Sequence, residues 1–279
     1  MSKTKTLISL IIFSTFILHS LSISTDTFLY GGCTQQTYTQ NSPYESNLNS
    51  LLTSLVNSAT YTSYNNFTII ASNPTDIVYG LYQCRGDISM PDCSSCVVHA
   101  VSRTRDICPG ACGGVVQLEG CYLKYDNVKF LGVEDKTIVL KKCGPYIGYD
   151  TGTRDAVLSG LMGSGGGYFR VGGSGQLKGM AQCIGDLSFV ECEDCVSEAI
   201  RRLRSDCPAA DFGDMFLGKC YARYSTGGGG GAHSYSKAHG KSDNNGEKTF
   251  AIIIGLLAGV AILIIFLAFL RRICEGQGK

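Results

Sequence analysis

The chain has 279 residues, 35 Gly, 14 Cys and no Trp, with a formal net charge of +1. Its length allows about two domains. The near-zero charge and the lack of a basic stripe exclude an electrostatic nucleic-acid binder, so no nucleic-acid partner is expected.

Residues 1–24 read as a secretory signal peptide. Lys3 and Lys5 precede an apolar run from Leu7 to Leu18, and Ser20, Ser22 and Ser24 follow, with cleavage expected at 22–24. The run is short for a bilayer span, which argues against a signal anchor. Export places the exterior cysteines of the 14 in an oxidising compartment, where a disulfide framework is expected.

Past Cys33, the residues Leu48, Leu51, Leu52, Leu55, Val56 and Ala59 recur at helical spacing and predict one amphipathic helix. Asn66-Phe67-Thr68 is the one N-x-[ST] match in the chain, which makes Asn66 the glycosylation candidate. A second helix is predicted from near Ser94. Its inner face would carry Val97, Ala100 and Val101, and its outer face Arg103 and Arg105. Val115–Tyr125 and Lys136–Lys142 read as strands, rich in β-branched or aromatic residues.

A shorter helical pattern follows at Val157, Leu158, Leu161 and Met162. The stretch Gly163–Gly175 lacks the ending of a phosphate-binding loop and reads as a plain loop. A last helix is predicted from near Glu193, with Val196, Ala199 and Ile200 inward and Arg201, Arg202 and Arg204 outward. Met215–Tyr224 reads as strand.

Residues 225–248 contain five consecutive glycines, Gly227 to Gly231. They read as a flexible linker of about 27 Å root-mean-square span. His233 and His239 within it read as solvated. Residues 249–270 read as a transmembrane helix, since Phe250–Leu270 carries no charge and would be about 31 Å long. Arg271 and Arg272 keep the tail, 271–279, cytoplasmic and everything before the span outside. The tail is too short for a folded domain. Gly255 and Gly259, four apart in the span, are candidates for helix pairing and self-association. Cys274 beside the span is a palmitoylation candidate.

The exterior part repeats itself at an offset of 99 residues. QCRGDISMPDCSSCVVHAVSRTRDICP from Gln83 aligns with QCIGDLSFVECEDCVSEAIRRLRSDCP from Gln182. Cys121-Tyr122 aligns with Cys220-Tyr221, and Tyr125 with Tyr224. Two copies mean two domains, since a solenoid needs three or more repeats. They are expected at 25–140 and 141–224, each a small α+β unit. Cys33 supplies the sixth cysteine of the first copy and Cys143 that of the second. The first copy has 51 residues to Cys84 where the second has 40 to Cys183. The spare length is expected in a loop around Tyr61–Thr75.

The spacing C-x8-C-x2-C, at Cys84-Cys93-Cys96 and again at Cys183-Cys192-Cys195, resembles the ginkbilobin-2-like extracellular domain of land plants. Two copies, a span and a short tail resemble the plasmodesmata-located proteins. The resemblance implies a fold of two helices on a five-stranded antiparallel sheet in each domain. It also implies the bridges Cys33–Cys108, Cys84–Cys93 and Cys96–Cys121, then Cys143–Cys207, Cys183–Cys192 and Cys195–Cys220. Sequence alone leaves 15 connectivities open per domain.

A single-domain relative of this type binds mannose. Its three sugar-contact positions correspond here to Thr34, Val115 and Asp126, and in the second copy to Gly144, Asp214 and Ser225. Asp126 alone has the matching chemistry, so mannose binding is not carried over.

With twelve cysteines paired and Cys274 inside, Cys112 is left over, either buried and inert or joining two chains. The two C-x-x-C pairs match a redox motif or a four-cysteine zinc site. Export and the repeat pattern favour structural bridges, and no metal or cofactor is expected. Of the four His, His19 leaves with the signal and His99 alone lies in a folded domain, without a Ser or Cys partner. No enzyme activity is expected. The resemblance implies an interaction scaffold of plasmodesmata that restricts cell-to-cell movement in part through callose. Its partners would be membrane proteins or receptor kinases there. The alternatives are a receptor module binding a cell-wall glycan and, third, a thiol oxidoreductase.

Overall fold

The structure, a computed structural model, describes residues 25–146, 151–162 and 167–226. The expected signal peptide, the linker beyond Thr226, the span with Gly255 and Gly259, and the tail with Cys274 lie outside these residues. Among the described residues no helix is long and apolar enough to cross a membrane.

Serine caps set where the helices start. Helix α1 (Pro43–Ser58) follows Ser42, whose hydroxyl accepts a hydrogen bond from Glu45 N, and Pro43 stands where no backbone N–H is needed. Helix α2 (Met90–Ile107) follows Ser89, which caps Asp92 N. In the second copy α3 is Thr151–Leu161, and α4 (Phe189–Asp206) opens on a capping box of Ser188 with Glu191. Both α2 and α4 therefore begin four residues before the predicted starts at Ser94 and Glu193. The apolar periodicity begins one turn after the cap, and the cap is what ends the loop.

The first sheet holds β1 (Phe28–Cys33), β2 (Tyr64–Ile69), β3 (Val78–Cys84), β4 (Gly114–Leu118) and β5 (Cys121–Asp126). Its order is β1-β4-β5-β3-β2. The second holds β6 (Ile138–Cys143), β7 (Phe169–Ser174), β8 (Leu177–Cys183), β9 (Phe212–Leu217) and β10 (Cys220–Thr226), ordered β6-β9-β10-β8-β7. Every pairing is antiparallel.

Several predicted boundaries shift. Val115–Tyr125 is two strands that turn at Glu119 and Gly120, and Met215–Tyr224 is two that turn at Gly218 and Lys219. The strand read at 136–142 is β6, which pairs with β9 of the second sheet. The second sheet thus starts at Ile138, ahead of the expected boundary between 140 and 141, because β6 repeats the role of β1. The second sheet also runs to Thr226, so Ser225 is strand and not linker. Part of the glycine-rich stretch read as loop is edge strand β7. The extra length of the first copy is not at Tyr61–Thr75 as a whole, since β2 occupies much of it. It lies in a 16-residue α1 against 11 residues in α3, and in a β2–β3 connection over 70–77 against the tight turn at Gly175 and Gln176.

One face of each sheet is covered by its two helices. Leu48, Leu51, Leu52 and Leu55 of α1 meet Val97 and Ala100 of α2 over Val116 and Leu123. Leu158, Leu161, Val196, Ala199 and Ile200 do the same over Met215 and Ala222. Three bridges fasten each domain, and all three end on its second helix. Cys93 and Cys96 lie in α2 and Cys108 is its C-cap, bonded to Cys84, Cys121 and Cys33. Cys192, Cys195 and Cys207 hold Cys183, Cys220 and Cys143 in the same way. The helix is thereby tied to one edge strand and two inner strands, which a small core could not hold alone.

The loops these bridges close differ in length, 75 residues for Cys33–Cys108 and 9 for Cys84–Cys93. In the fragment 25–226, replacing Cys33 and Cys108 together with Ala should cost about 4 kcal/mol, and replacing Cys84 and Cys93 about 2–3 kcal/mol. Urea unfolding of the two variants checks that order.

Candidate functional site

The sheet faces turned away from the helices carry apolar and charged residues that meet in a seam between the two domains. Tyr30, on β1, meets Phe216 of β9 edge-on at 5.9 Å, and Phe216 packs on Tyr221 at 4.9 Å. Leu81, Tyr122 and Phe130 of the first domain cluster with Ile184 of the second. Burial raises the Tyr30, Tyr122 and Tyr221 hydroxyls above their ordinary range, so these rings stay neutral.

The repeat's shared Gln-Cys-x-Gly-Asp segment lies in this seam from both sides. Gln182 Nε2 donates to Cys84 O at 2.9 Å, and Gly185 N donates to Gln83 Oε1 at 3.1 Å. A Cβ on Gly86 would lie 2.5 Å from Phe169 Cγ, and one on Gly185 would lie 2.9 Å from Tyr64 Cγ. Tyr64 and Phe169 hold equivalent places, opposite Gln83 and Gln182 in their sheets. Each domain thus fits its glycine under the other's aromatic ring. Glycine is required there for close approach rather than for an unusual backbone.

Charge crosses the seam at Glu119. Its Oε1 accepts from Arg85 Nη1 at 3.0 Å and from Arg223 Nη1, of the other domain, at 2.6 Å. Arg223 Nε in turn donates to Asp214 at 2.8 Å, and Arg85 Nε to Asp87 at 2.6 Å. Arg85, Glu119, Asp214 and Arg223 are all at most 6% exposed. The Arg223 guanidinium also lies over the Phe216 ring, 5.4 Å from its centre.

A second buried charge holds the connection between the domains. Lys219 Nζ pairs with Asp186 and donates to Phe130 O at 3.1 Å. Gly132 N donates to Asp186 Oδ2 at 2.9 Å. Lys124 and Lys219, one from each domain, both lie over the Phe130 ring. Burial pulls the Lys219 ammonium below its ordinary range, against the opposing effect of Asp186.

Sequence reasoning named Asp214 alone among these charges, as a sugar-contact position, and gave none of them a place in the seam. The repeat held a signal for several. At the 99-residue offset Arg85 aligns with Ile184, Glu119 with Gly218, and Val115 with Asp214, so these are places where two otherwise matched copies differ, whereas Asp87 and Asp186 are the shared Asp of the repeat.

Of the positions implied by the mannose-binding relative, Thr34 and the Asp126 carboxyl flank Gly113, at 2.6 and 3.0 Å from where its Cβ would be, while Val115 packs against the seam cluster. In the second copy Gly144 is crowded by Asp211 and Phe212, Asp214 belongs to the buried charge chain, and Ser225 is in β10. His99 does have a partner, Asp26, at 2.6 Å in an open cleft. Among the described residues no hydrogen bond joins it to Ser102 of the same cleft. Cys93 and Cys96 are bonded elsewhere and not to each other.

Cys112 is a free thiol and is 4% exposed. Tyr44 Oη donates to its carbonyl at 2.5 Å, its N–H donates to Gln36 O at 2.8 Å, and it packs in the first core. Burial, then Asp126, raises its pKa, so it stays a protonated, shielded thiol.

Two matching disulfide-stapled domains joined by a buried seam define a tandem cysteine-rich protein. Residues 32–128 and 149–227 match the family described as Salt stress response/antifungal. The chain is 62% identical to plasmodesmata-located protein 7 of Arabidopsis thaliana, over 94% of this chain and 88% of that protein. It is 53% identical to plasmodesmata-located protein 6 of the same plant, over 100% and 99%. The solved tandem DUF26 ectodomain of the Arabidopsis thaliana cysteine-rich receptor-like protein PDLP5 is 45% identical. It superposes with a TM-score of 0.69, covering 72% of this chain and 100% of that one. This chain belongs to the plasmodesmata-located protein family.

Two outcomes test the geometry. Glu119→Ala removes the carboxylate that Arg85 and Arg223 share, each keeping Asp87 or Asp214, and should destabilise the two-domain unit by about 2–3 kcal/mol. Glu198→Ala, which removes the surface pairs with Arg201 and Arg202, should cost less than about 1 kcal/mol. Urea unfolding measures both. On non-reducing electrophoresis, wild type and Cys112→Ser should run as the same monomer band, because the thiol is shielded; a dimer band lost on substitution would contradict this.

Proposed function

We propose that this protein is a single-pass type I membrane scaffold at plasmodesmata, the channels between plant cells. The observation that carries the reading is the 62% identity with plasmodesmata-located protein 7, which extends over 94% of the chain, beyond the two domains. Residues 1–24 direct export, 249–270 cross the membrane and 271–279 face the cytoplasm. The paired domains, 25–140 and 141–224 in the sequence reading, are then outside. They act by contact with other membrane proteins or receptor kinases and restrict cell-to-cell movement through callose.

The seam supports a contact role over a catalytic one. Each of its charges faces an opposite charge inside the protein, and these pairs help hold two domains together. Glycan binding has weaker support, since Asp126 is the one matching residue. Gly255 and Gly259 serve pairing of the span, and acylation of Cys274 serves sorting within the membrane.

A fluorescent fusion in leaf epidermis tests this. Puncta at cell junctions are expected, and a uniform membrane rim would contradict the reading. The same fusion carrying Cys274→Ser, or Gly255→Leu with Gly259→Leu, should spread along the membrane. Unchanged puncta in either variant would remove that role.

A further inference from the structure

We propose that Asn66 carries an N-linked glycan whose first sugar seats against Tyr64, capping the open edge of the first sheet beside the seam. In β2, side chains alternate between faces, so Tyr64, Asn66 and Thr68 share one face and Phe67 and Ile69 the other. Phe67 and Ile69 pack into the helix-side core. Tyr64 packs into the seam cluster. Asn66 and Thr68, which lead away from it along the same face, are exposed. The two residues that glycan transfer needs are thus both solvent-facing in the folded strand, and a sugar on Asn66 displaces no core residue.

The geometry also says where that sugar goes. Asn66 Nδ2, the atom that would carry it, donates to Tyr64 Oη at 2.8 Å. The Tyr64 ring is half-buried, with Gly185 of the second domain against it. A pyranose extending from Nδ2 meets the remaining side of that ring, where its C–H face gains apolar contact. Sugar, tyrosine and Gly185 then form one stack across the rim of the seam. β2 is also a terminal strand of its sheet, with one row of backbone groups unpaired. Such an edge invites pairing with another chain, and bulk beside it prevents that. The equivalent edge strand β7 has Phe169, Val171 and Gly173 at the matching places, so the second sheet has no such cap.

In the transfer, Asn66 Nδ2 bonds to C1 of the N-acetylglucosamine of a lipid-linked oligosaccharyl diphosphate. The bond from C1 to the diphosphate oxygen breaks, the lipid diphosphate leaves, and Nδ2 gives up one proton. The proposal rests on the export reading of residues 1–24, and protease protection of the full chain in microsomes reports that step separately.

The test uses the full chain from a plant or other eukaryotic secretory system. Peptide mapping after peptide-N-glycosidase treatment should show residue 66 converted to aspartate, and Thr68→Ala should abolish that conversion. In detergent, Asn66→Gln should lower the melting temperature by about 2–4 °C. In a Tyr64→Leu background the same substitution should change it by much less. A protected chain that is unmodified at Asn66, or an equal loss in both backgrounds, would overturn the proposal. An unprotected chain would overturn the export reading and the proposal with it.

Discussion

The Glu119 carboxylate is buried between arginines from two domains, and the arrangement of the ectodomain depends on it. A buried ion pair adds little net stability, because desolvation offsets most of the Coulomb attraction. Its effect is on alternatives. Any packing of the two sheets that separates Glu119 from Arg223 without readmitting water strips the carboxylate of its second guanidinium and leaves the first domain's group of Asp87, Arg85 and Glu119 one charge out of balance. Asp214 and Asp87 extend the chain to both ends, so every carboxylate and guanidinium in it faces a counter-charge. The seam charges therefore favour the register in which Tyr30, Phe216 and Tyr221 are in contact.

Disulfides and seam divide the work between them. Within each domain three bridges converge on the second helix and hold it to its sheet. Between domains no covalent bond other than the chain itself crosses, among the described residues. Lys219 and Asp186 fix the connecting segment at Phe130 and Gly132, so the tether is itself packed. A pair of domains held in this way presents fixed outer surfaces, which suits a protein whose proposed action is contact rather than chemistry.

Much of this was legible in the sequence. The helical faces at Leu48–Leu55 and Val196–Ile200 follow from spacing, because helix burial imposes a period that strands and loops do not share. The helix starts were misjudged by a turn because Ser89 and Ser188 act before any apolar residue is reached. The expected boundary between 140 and 141 runs through β6, because its composition marks a strand and says nothing about its partner. The shared Gly86 and Gly185 were visible as a pattern, but their reason lies across the seam, at Phe169 for Gly86 and at Tyr64 for Gly185. The seam charges were hardest to see. Arg85, Glu119 and Asp214 occupy positions where the copies differ, and only the pairing of two unlike copies sets Glu119 against Arg223.

Residue-resolved amide hydrogen exchange on the ectodomain would test whether the two domains are one body. Gly185 N donates to Gln83 Oε1 across the seam, so its protection depends on the seam being closed. If the domains form one unit, Gly185 should exchange about as slowly as the central strands β5 and β10. Exchange at the rate of an exposed turn, with both sheets still protected, would mean that the seam opens freely and that the two domains are separate.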